Sequence, residues 1–141
     1  KPGYECRHNI GYWTGIEYLG LGLGASSYIQ GFRFHNESDL SLYDKIQMTG
    51  TDADEKLHQE ITKLSDKEKM EEFMFLGLCM IKGVSGSEFF QRFGQNMWNV
   101  YGNVLNKLKD EGLIIVDMPD VRLSDYGIDV SNYVLSEFLL D

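Results

Sequence analysis

Cysteine is scarce in this sequence, which contains only Cys6 and Cys79 among its 141 residues. Two cysteines are too few for a disulfide framework, and these two lie too far apart for a C-x-x-C motif. We therefore predict two reduced thiols in a cytoplasmic protein. Long apolar runs are also missing. None approaches the roughly 20 residues that a helix needs to cross a bilayer, so we predict no membrane span.

Positive charge is the second shortage. Lys and Arg number 13 against 22 Asp and Glu, which gives a formal net charge of -9. A chain this acidic repels the phosphate backbone of nucleic acids unless its basic residues cluster, and they do not. Even Lys107 and Lys109, on an expected helix, are followed directly by Asp110 and Glu111. The composition therefore predicts no nucleic-acid partner.

Glycine and aromatic residues are dense in the first quarter of the chain, in "RHNIGYW" and then "YLGLGLGA". Glycine is costly inside a helix, so this region predicts strands over residues 5–9, 17–20 and 26–34. A short helix is expected over residues 36–48, with Ser38 as its N-cap. Because glycine lacks a Cβ, the glycine run also predicts backbone that approaches another group closely.

The second half of the chain predicts helices around a hairpin. Helices are expected over residues 65–82, 85–93 and 97–111, followed by a β-hairpin in "LIIVDMPDVRLS" and a last helix that begins at Ser124. Three helices, a hairpin and a closing helix resemble a winged helix. The predicted fold class is therefore α+β, with a short β segment preceding a winged-helix-like domain.

The apolar side chains of these helices repeat at helical spacing and are expected to form the core. The capping-box pattern S-x-x-E marks two of the helix starts, at Ser65 and Ser85. Cys79 lies near the apolar stripe and is expected to be buried as a small apolar residue. The residues expected inside are Met70, Phe73, Met74, Gly77, Leu78, Ile81, Phe89, Phe90, Phe93, Val100, Val104, Leu105, Leu108, Val130, Tyr133, Val134, Phe138 and Leu139.

Four stretches, read in order, resemble one known family: "RHNIGYW", "YLGLGLGA", "LCMIKGVSGSEFFQRFG" and "GLIIVDMPDVRLSDYGIDVSNYVLSEFL". It is the oxygen-independent coproporphyrinogen III oxidase family of radical S-adenosylmethionine proteins, which includes a haem-chaperone branch. "RHNIGYW" fits the chaperone-like branch more closely, and the oxidase itself is the alternative. The match covers nearly the whole chain but only the C-terminal portion of the family's sequence.

The resemblance implies that a partial (β/α) barrel precedes this portion. The opening Lys-Pro-Gly-Tyr, without an initiator Met, likewise predicts a piece of a longer protein. In the family the barrel carries a C-x-x-x-C-x-x-C motif whose [4Fe-4S] cluster reduces S-adenosylmethionine, and this sequence contains no such motif. The expected organisation is a barrel end over residues 1–36, a linker over 37–64 and a winged-helix-like domain over 65–141.

The resemblance also implies site residues, all near the front of the chain. Gly22, Gly24 and Ala25 are expected near S-adenosylmethionine. His8, Tyr12 and Arg33 are expected near the substrate or haem. The more ordinary alternatives are a histidine that organises its strand, a core tyrosine, and an arginine paired with a local acid. No catalytic residue and no metal ligand is expected in this chain.

Partners follow from the same resemblance. The parent protein is expected to bind a tetrapyrrole, either a porphyrinogen or haem. The front segment is expected to form a small antiparallel sheet against the helical half or to pair across a homodimer. Arg33 and Asn36 resemble an R-x-x-N element that follows the glycine loop in relatives, and His35 is expected at the surface. The alternative from another class is a stand-alone winged-helix module that binds proteins.

The lack of cluster ligands yields the first prediction. The purified chain should be colourless and free of iron, and it should not cleave S-adenosylmethionine under reducing conditions. Iron and sulfide analysis and chromatography for 5′-deoxyadenosine check this. Stoichiometric iron with sulfide, or any 5′-deoxyadenosine above background, would contradict it.

Overall fold

The computed structural model describes residue 11 and residues 15–46 and 56–140. The chain combines helices and strands, as expected for an α+β protein. It divides into two compact units: Glu17–Ser65 forms one, and Asp66–Asp141 belongs to the other. The strand expected over residues 5–9 lies outside the described residues. None of the described helices is long and apolar enough to cross a membrane.

The first unit is built on a three-stranded antiparallel sheet. Its strands are β1 (Ser26–Ile29), β2 (Phe32–Asn36) and β3 (His58–Lys63), in the order β1-β2-β3. In the β1–β2 pair, Ser27 faces Phe34 and Tyr28 faces Arg33. Ahead of β1, the segment expected as a strand over residues 17–20 makes one antiparallel bridge, from Tyr18 to Tyr28.

The single strand expected over residues 26–34 is wrong, because the chain reverses in its middle. Gln30 and Gly31 form the turn between β1 and β2, with φ values of 51° and 79°. A two-residue hairpin turn of this kind needs positive φ at both positions, since its twist then matches that of the strands. Because Gln30 is not typical of the first position of such a turn, the sequence pattern does not indicate that the chain reverses here.

The first helix, α1 (Leu40–Tyr43), is shorter than expected and has a different cap. Asp39, not Ser38, is the N-cap, and its side chain accepts hydrogen bonds from the N–H groups of Ser41 and Leu42 at 2.8 and 3.2 Å. A hydrogen bond from the Ser41 hydroxyl, and then these two backbone bonds, lower the pKa of Asp39. Asn36, expected to open this helix, ends β2 instead.

Residues 66–140 of the second unit form three longer helices, a hairpin and two short helices. They are α2 (Asp66–Leu78), α3 (Gly86–Phe93), α4 (Met97–Asp110), β4 (Ile114–Asp117), β5 (Asp120–Leu123), α5 (Asp125–Asp129) and α6 (Ser131–Ser136). The order of helices and hairpin agrees with the expectation. The closing helix is divided at Val130, which caps α5 and precedes α6.

Aromatic rings lie at the centre of the second unit's core. Tyr101 meets Phe138 edge to face with ring centroids 5.3 Å apart, and it meets Phe89 in the same way at 6.1 Å. Edge-to-face contact is a favoured arrangement of aromatic rings. The fully buried side chains around them include Met74, Leu78, Met97, Leu105, Leu108, Val121 and Val134.

Several residues expected in this core lie at the surface. Helix α2 ends at Leu78, four residues early, and Ile81 beyond it is 95% exposed. The chain turns away so that Val84 can pair with Val121 in an antiparallel bridge, and residues past the helix end no longer share its buried face. Cys79 is exposed for the same reason. Phe90, Tyr133 and Leu139 are exposed as well.

Of two serines expected to begin helices, Ser124 makes a side-chain cap bond and Ser85 does not. The Ser124 side chain accepts the Gly127 N–H at 2.9 Å, so it caps α5 as expected. Ser85 precedes α3 but makes no side-chain cap bond. The Gly86 N–H donates instead to Asp120 Oδ1 on the hairpin, at 3.0 Å. A tertiary contact thus replaces the expected capping box at this helix start.

Leu105 tests the core of the second unit. It is fully buried on α4, so Leu105→Ala should lower the free energy of unfolding by about 2–5 kcal/mol. Chemical denaturation measures this. The matched control is Leu139→Ala at an exposed position, which should change stability by no more than about 0.5 kcal/mol. Equal effects at both positions would contradict this core.

Removal of the Tyr101 hydroxyl should stabilise the protein. Its side chain is 1% exposed, and among the described residues its Oη has no hydrogen-bond partner. Burial, with the nearby Glu71 charge, raises the pKa of this phenol. Because an unpaired buried donor is unfavourable, Tyr101→Phe should raise the free energy of unfolding by about 1 kcal/mol. The exposed Tyr126→Phe is the control, and a loss of stability in Tyr101→Phe would show that the hydroxyl is satisfied.

Candidate functional site

The glycine loop, residues 20–25, folds against the end of β2, where Asn36 holds it. The Asn36 side chain is 3% exposed, and its Nδ2 donates to the carbonyl oxygens of Gly22 at 2.8 Å and Gly20 at 3.2 Å. One buried amide group therefore connects two carbonyl groups of the loop backbone. Backbone carbonyls that are shielded from water need such donors.

The neighbouring backbone adds further bonds at both ends of the loop. The Asn36 N–H donates to the Ala25 carbonyl, and the Gly24 N–H donates to the Glu37 carbonyl, both at 2.9 Å. At the start of the loop, the Gly20 N–H donates to the buried Ser27 hydroxyl at 3.0 Å. The loop is thus fixed to β1 and β2 by backbone and side-chain bonds together.

Two glycines of the loop are required for different reasons. A Cβ on Gly20 would collide with the backbone of Ala25 and the carbonyl of Ser26, so close packing demands glycine there. Gly22 has a φ of 102°, which L side chains rarely adopt, yet nothing lies within 4 Å of where its Cβ would be. The loop is therefore tight on its β1 side and open at Gly22.

Leucine alternates with glycine in this loop, and the leucine side chains are exposed. Leu21 is 85% exposed, and Leu23 and the preceding Leu19 are exposed as well. In the part of the chain that the structure describes, the backbone N–H groups of Gly22 and Leu23 have no hydrogen-bond partner. The open side of the loop thus combines apolar side chains with available amide donors.

The structure places three of the expected site residues in one loop and a fourth on β2. Gly22, Gly24 and Ala25 all lie in the held loop. Arg33 lies on β2, where its guanidinium carbon is 5.9 Å from the centroid of the Tyr28 ring. His8 and Tyr12 lie outside the described residues.

His35 adjoins Asn36 and is not a simple surface residue. Its Nδ1 is 2.9 Å from the Asn36 carbonyl oxygen, and its Nε2 is 3.3 Å from Glu60 Oε2. The bond to that carbonyl, then the bond and the charge of Glu60, raise the pKa of His35. Glu60 has a positive φ of 53°, and the β2–β3 register shifts between Arg33 and His35. No local pattern in the sequence signals this pair.

Metal binding finds no support in the described part of the chain. No group of three or more His, Cys, Asp or Glu side chains could hold an ion there. Although Cys79 is exposed, desolvation by the protein around its thiol raises the pKa of that group, which disfavours the thiolate that a metal requires. These residues do not fit an iron–sulfur cluster.

Comparisons with known proteins agree on one family. The family model for the HemN C-terminal domain matches residues 64–130. The heme chaperone HemW of Lactococcus lactis is 36% identical over 140 residues, 99% of this chain and 35% of that protein. The heme chaperone HemW of Bacillus subtilis is 34% identical, over 99% of this chain and 36% of that protein.

One solved structure shares the fold. It is coproporphyrinogen III oxidase (HemN) from Escherichia coli, a radical SAM enzyme, with a TM-score of 0.65 over 87% of this chain and 28% of that one, at 17% identity. The chain spans about a third of the length of the curated relatives that it matches. By these matches, residues 64–130 belong to the HemN C-terminal domain family, and the chain corresponds to the C-terminal portion of HemN- and HemW-like proteins.

Proposed function

We propose that this chain is the C-terminal part of a haem-handling radical S-adenosylmethionine protein of the chaperone type, where it covers the active site and helps to bind the tetrapyrrole. The observation that carries the proposal is the held glycine loop, which is closely packed on its β1 side and open at Gly22. The chain matches proteins named as heme chaperones along 99% of its length, which includes this loop.

The loop residues suit one wall of an S-adenosylmethionine site. Gly22, Gly24 and Ala25 would lie against the bound molecule, which, with a cluster held elsewhere in the protein, would supply the radical chemistry. Gly22 presents open space and an amide donor without a partner among the described residues. Backbone donors of this kind suit a polar ligand that must approach the chain closely. The cluster itself belongs to the barrel that we propose for the parent protein.

Arg33 is our candidate for a contact with the tetrapyrrole, together with His8 and Tyr12. A porphyrin carries propionate groups, and arginine binds carboxylates through two parallel hydrogen bonds. Arg33 is exposed on β2, close to the Tyr28 ring. An exposed guanidinium next to an aromatic ring suits a flat macrocycle with a carboxylate at its edge.

The second unit would serve as the cover. We propose a winged-helix-like arrangement over residues 65–141, after a barrel end at 1–36 and a linker at 37–64. Nucleic-acid reading is disfavoured because two basic side chains of the fourth helix and the hairpin, Lys107 and Arg122, lie against acids. Lys107 Nζ donates to Glu137 Oε2 at 2.7 Å, which raises the pKa of Lys107, and Arg122 faces Asp117 at 4.0 Å. A DNA reader needs such groups on an accessible basic face.

A second candidate function is a protein-binding module. The observation that favours it is the exposure of apolar side chains on the helical unit, among them Ile81, Met118 and Phe90. Exposed apolar clusters often mark interaction sites. This candidate predicts no affinity for haem, so one titration separates the two.

Haem titration of the purified chain tests the proposal. We expect a saturable shift of the Soret band, and Arg33→Gln should weaken binding by about 10- to 100-fold, because a charge-assisted bond is worth about 1.5–3 kcal/mol. The matched control is Arg122→Gln, an exposed arginine in the other unit, which should bind like the wild type. Absence of a saturable shift would favour the protein-binding module. Equal losses in the two variants would overturn the role of Arg33.

A further inference from the structure

We propose that Asn36 is the positioning residue of the glycine loop, and that its Nδ2 group sets the direction of the loop amides that meet the cofactor. This inference rests on the proposed function, which places S-adenosylmethionine at the loop. Asn36 would act through the loop backbone rather than by touching the ligand.

Apart from the bonds of Asn36, the centre of the loop is supported among the described residues by one long bond, from the Ala25 N–H to the Gly22 carbonyl at 3.3 Å. Backbone bonds hold Gly24 and Ala25, and the Ser27 hydroxyl holds the Gly20 N–H. Between these points, the bonds from Asn36 Nδ2 fix the carbonyls of Gly20 and Gly22. The glycines have no side chains to hold the loop, and the leucine side chains are exposed.

Asn36 also fixes the direction of one N–H group in the loop. A carbonyl and the N–H of the next residue belong to one planar peptide group, so fixing the first fixes the second. The Gly22 carbonyl that accepts from Asn36 therefore sets the orientation of the Leu23 N–H. That N–H has no partner among the described residues and is available to a ligand. Asn36 thus orients the Leu23 N–H, a donor that belongs to another residue.

The effect of Asn36 on the loop differs from its effect on the stability of the whole protein. Asn36 Oδ1 is buried and has no partner in the described part of the chain. An unpaired buried acceptor is unfavourable and offsets part of what the two Nδ2 bonds contribute. Loss of Asn36 should therefore change the loop more than it changes global stability, which makes the role measurable in a folded variant.

Asn36→Asp offers a test that a merely structural role would not pass. The new carboxylate would face two carbonyl oxygens in a buried place, so its pKa should be raised. The protonated form has one O–H that can donate to the Gly22 carbonyl, whereas the ionised form has no donor. His35, Glu37, Glu60 and His58 also lie near this point, so each value is compared with the wild type at the same pH.

The experiment is an NMR titration of the 141-residue chain with S-adenosylmethionine, following the Gly22, Leu23 and Gly24 amides from pH 5.5 to 8. We expect saturable shifts in the wild type and binding about tenfold weaker in Asn36→Ala, consistent with the loss of two hydrogen bonds. Asn36→Asp should bind nearly as the wild type does at pH 5.5 and as weakly as Asn36→Ala at pH 8. The control Asn103→Asp, at an exposed site on α4, should follow the wild type.

The failures are distinguishable. If the wild type shows no saturable shift at the loop, the proposed cofactor-facing role falls, and this inference falls with it. If the wild type binds and Asn36→Ala binds equally well, the positioning role alone is overturned. If Asn36→Asp binds as tightly as the wild type at pH 8, where the carboxylate has no donor, the Nδ2 donor is not what positions the loop. Thermal denaturation of each variant confirms that it is folded.

Discussion

The first unit depends on the pair of hydrogen bonds that one buried amide group donates to the glycine loop. Asn36 ends β2, so the same residue continues the sheet through its backbone and fixes the loop through its side chain. His35 bonds the Asn36 carbonyl and pairs with Glu60 on β3, which ties the third strand to the same point. The apolar side chains of the loop are exposed. Hydrogen bonds from Asn36, rather than a buried apolar core, therefore give the loop its defined shape.

The second unit is stabilised differently. Its helices bury a continuous aromatic and aliphatic core in which Phe89, Tyr101 and Phe138 meet edge to face. Close backbone packing completes it, since a Cβ on Gly127 would collide with the Leu113 carbonyl. One unit therefore carries most of the buried apolar surface, and the other carries the candidate site on a small sheet.

The sequence allowed prediction of the elements with a long, regular pattern. Helical spacing located α2 and α4, Gly94 and Gly112 marked helix ends, and Ser124 marked a start. It failed where a distant contact decides the structure. Ile81 continues the apolar spacing of α2, but the bridge between Val84 and Val121 ends the helix first. The loop glycines were recognisable as a motif, and Asn36 was noticed only as part of R-x-x-N. Its bridging role depends on a hairpin turn at Gln30 that has no sequence signature.

The side-chain NH₂ resonances of Asn36 test the central claim most directly. Both protons are accounted for by the carbonyls of Gly20 and Gly22, and the side chain is buried. In ¹⁵N-labelled protein they should therefore appear as a separated, shifted pair that exchanges with solvent far more slowly than the side-chain amide of the exposed Asn103. A pair at the random-coil position, exchanging as fast as that of Asn103, would show that Asn36 does not hold the loop.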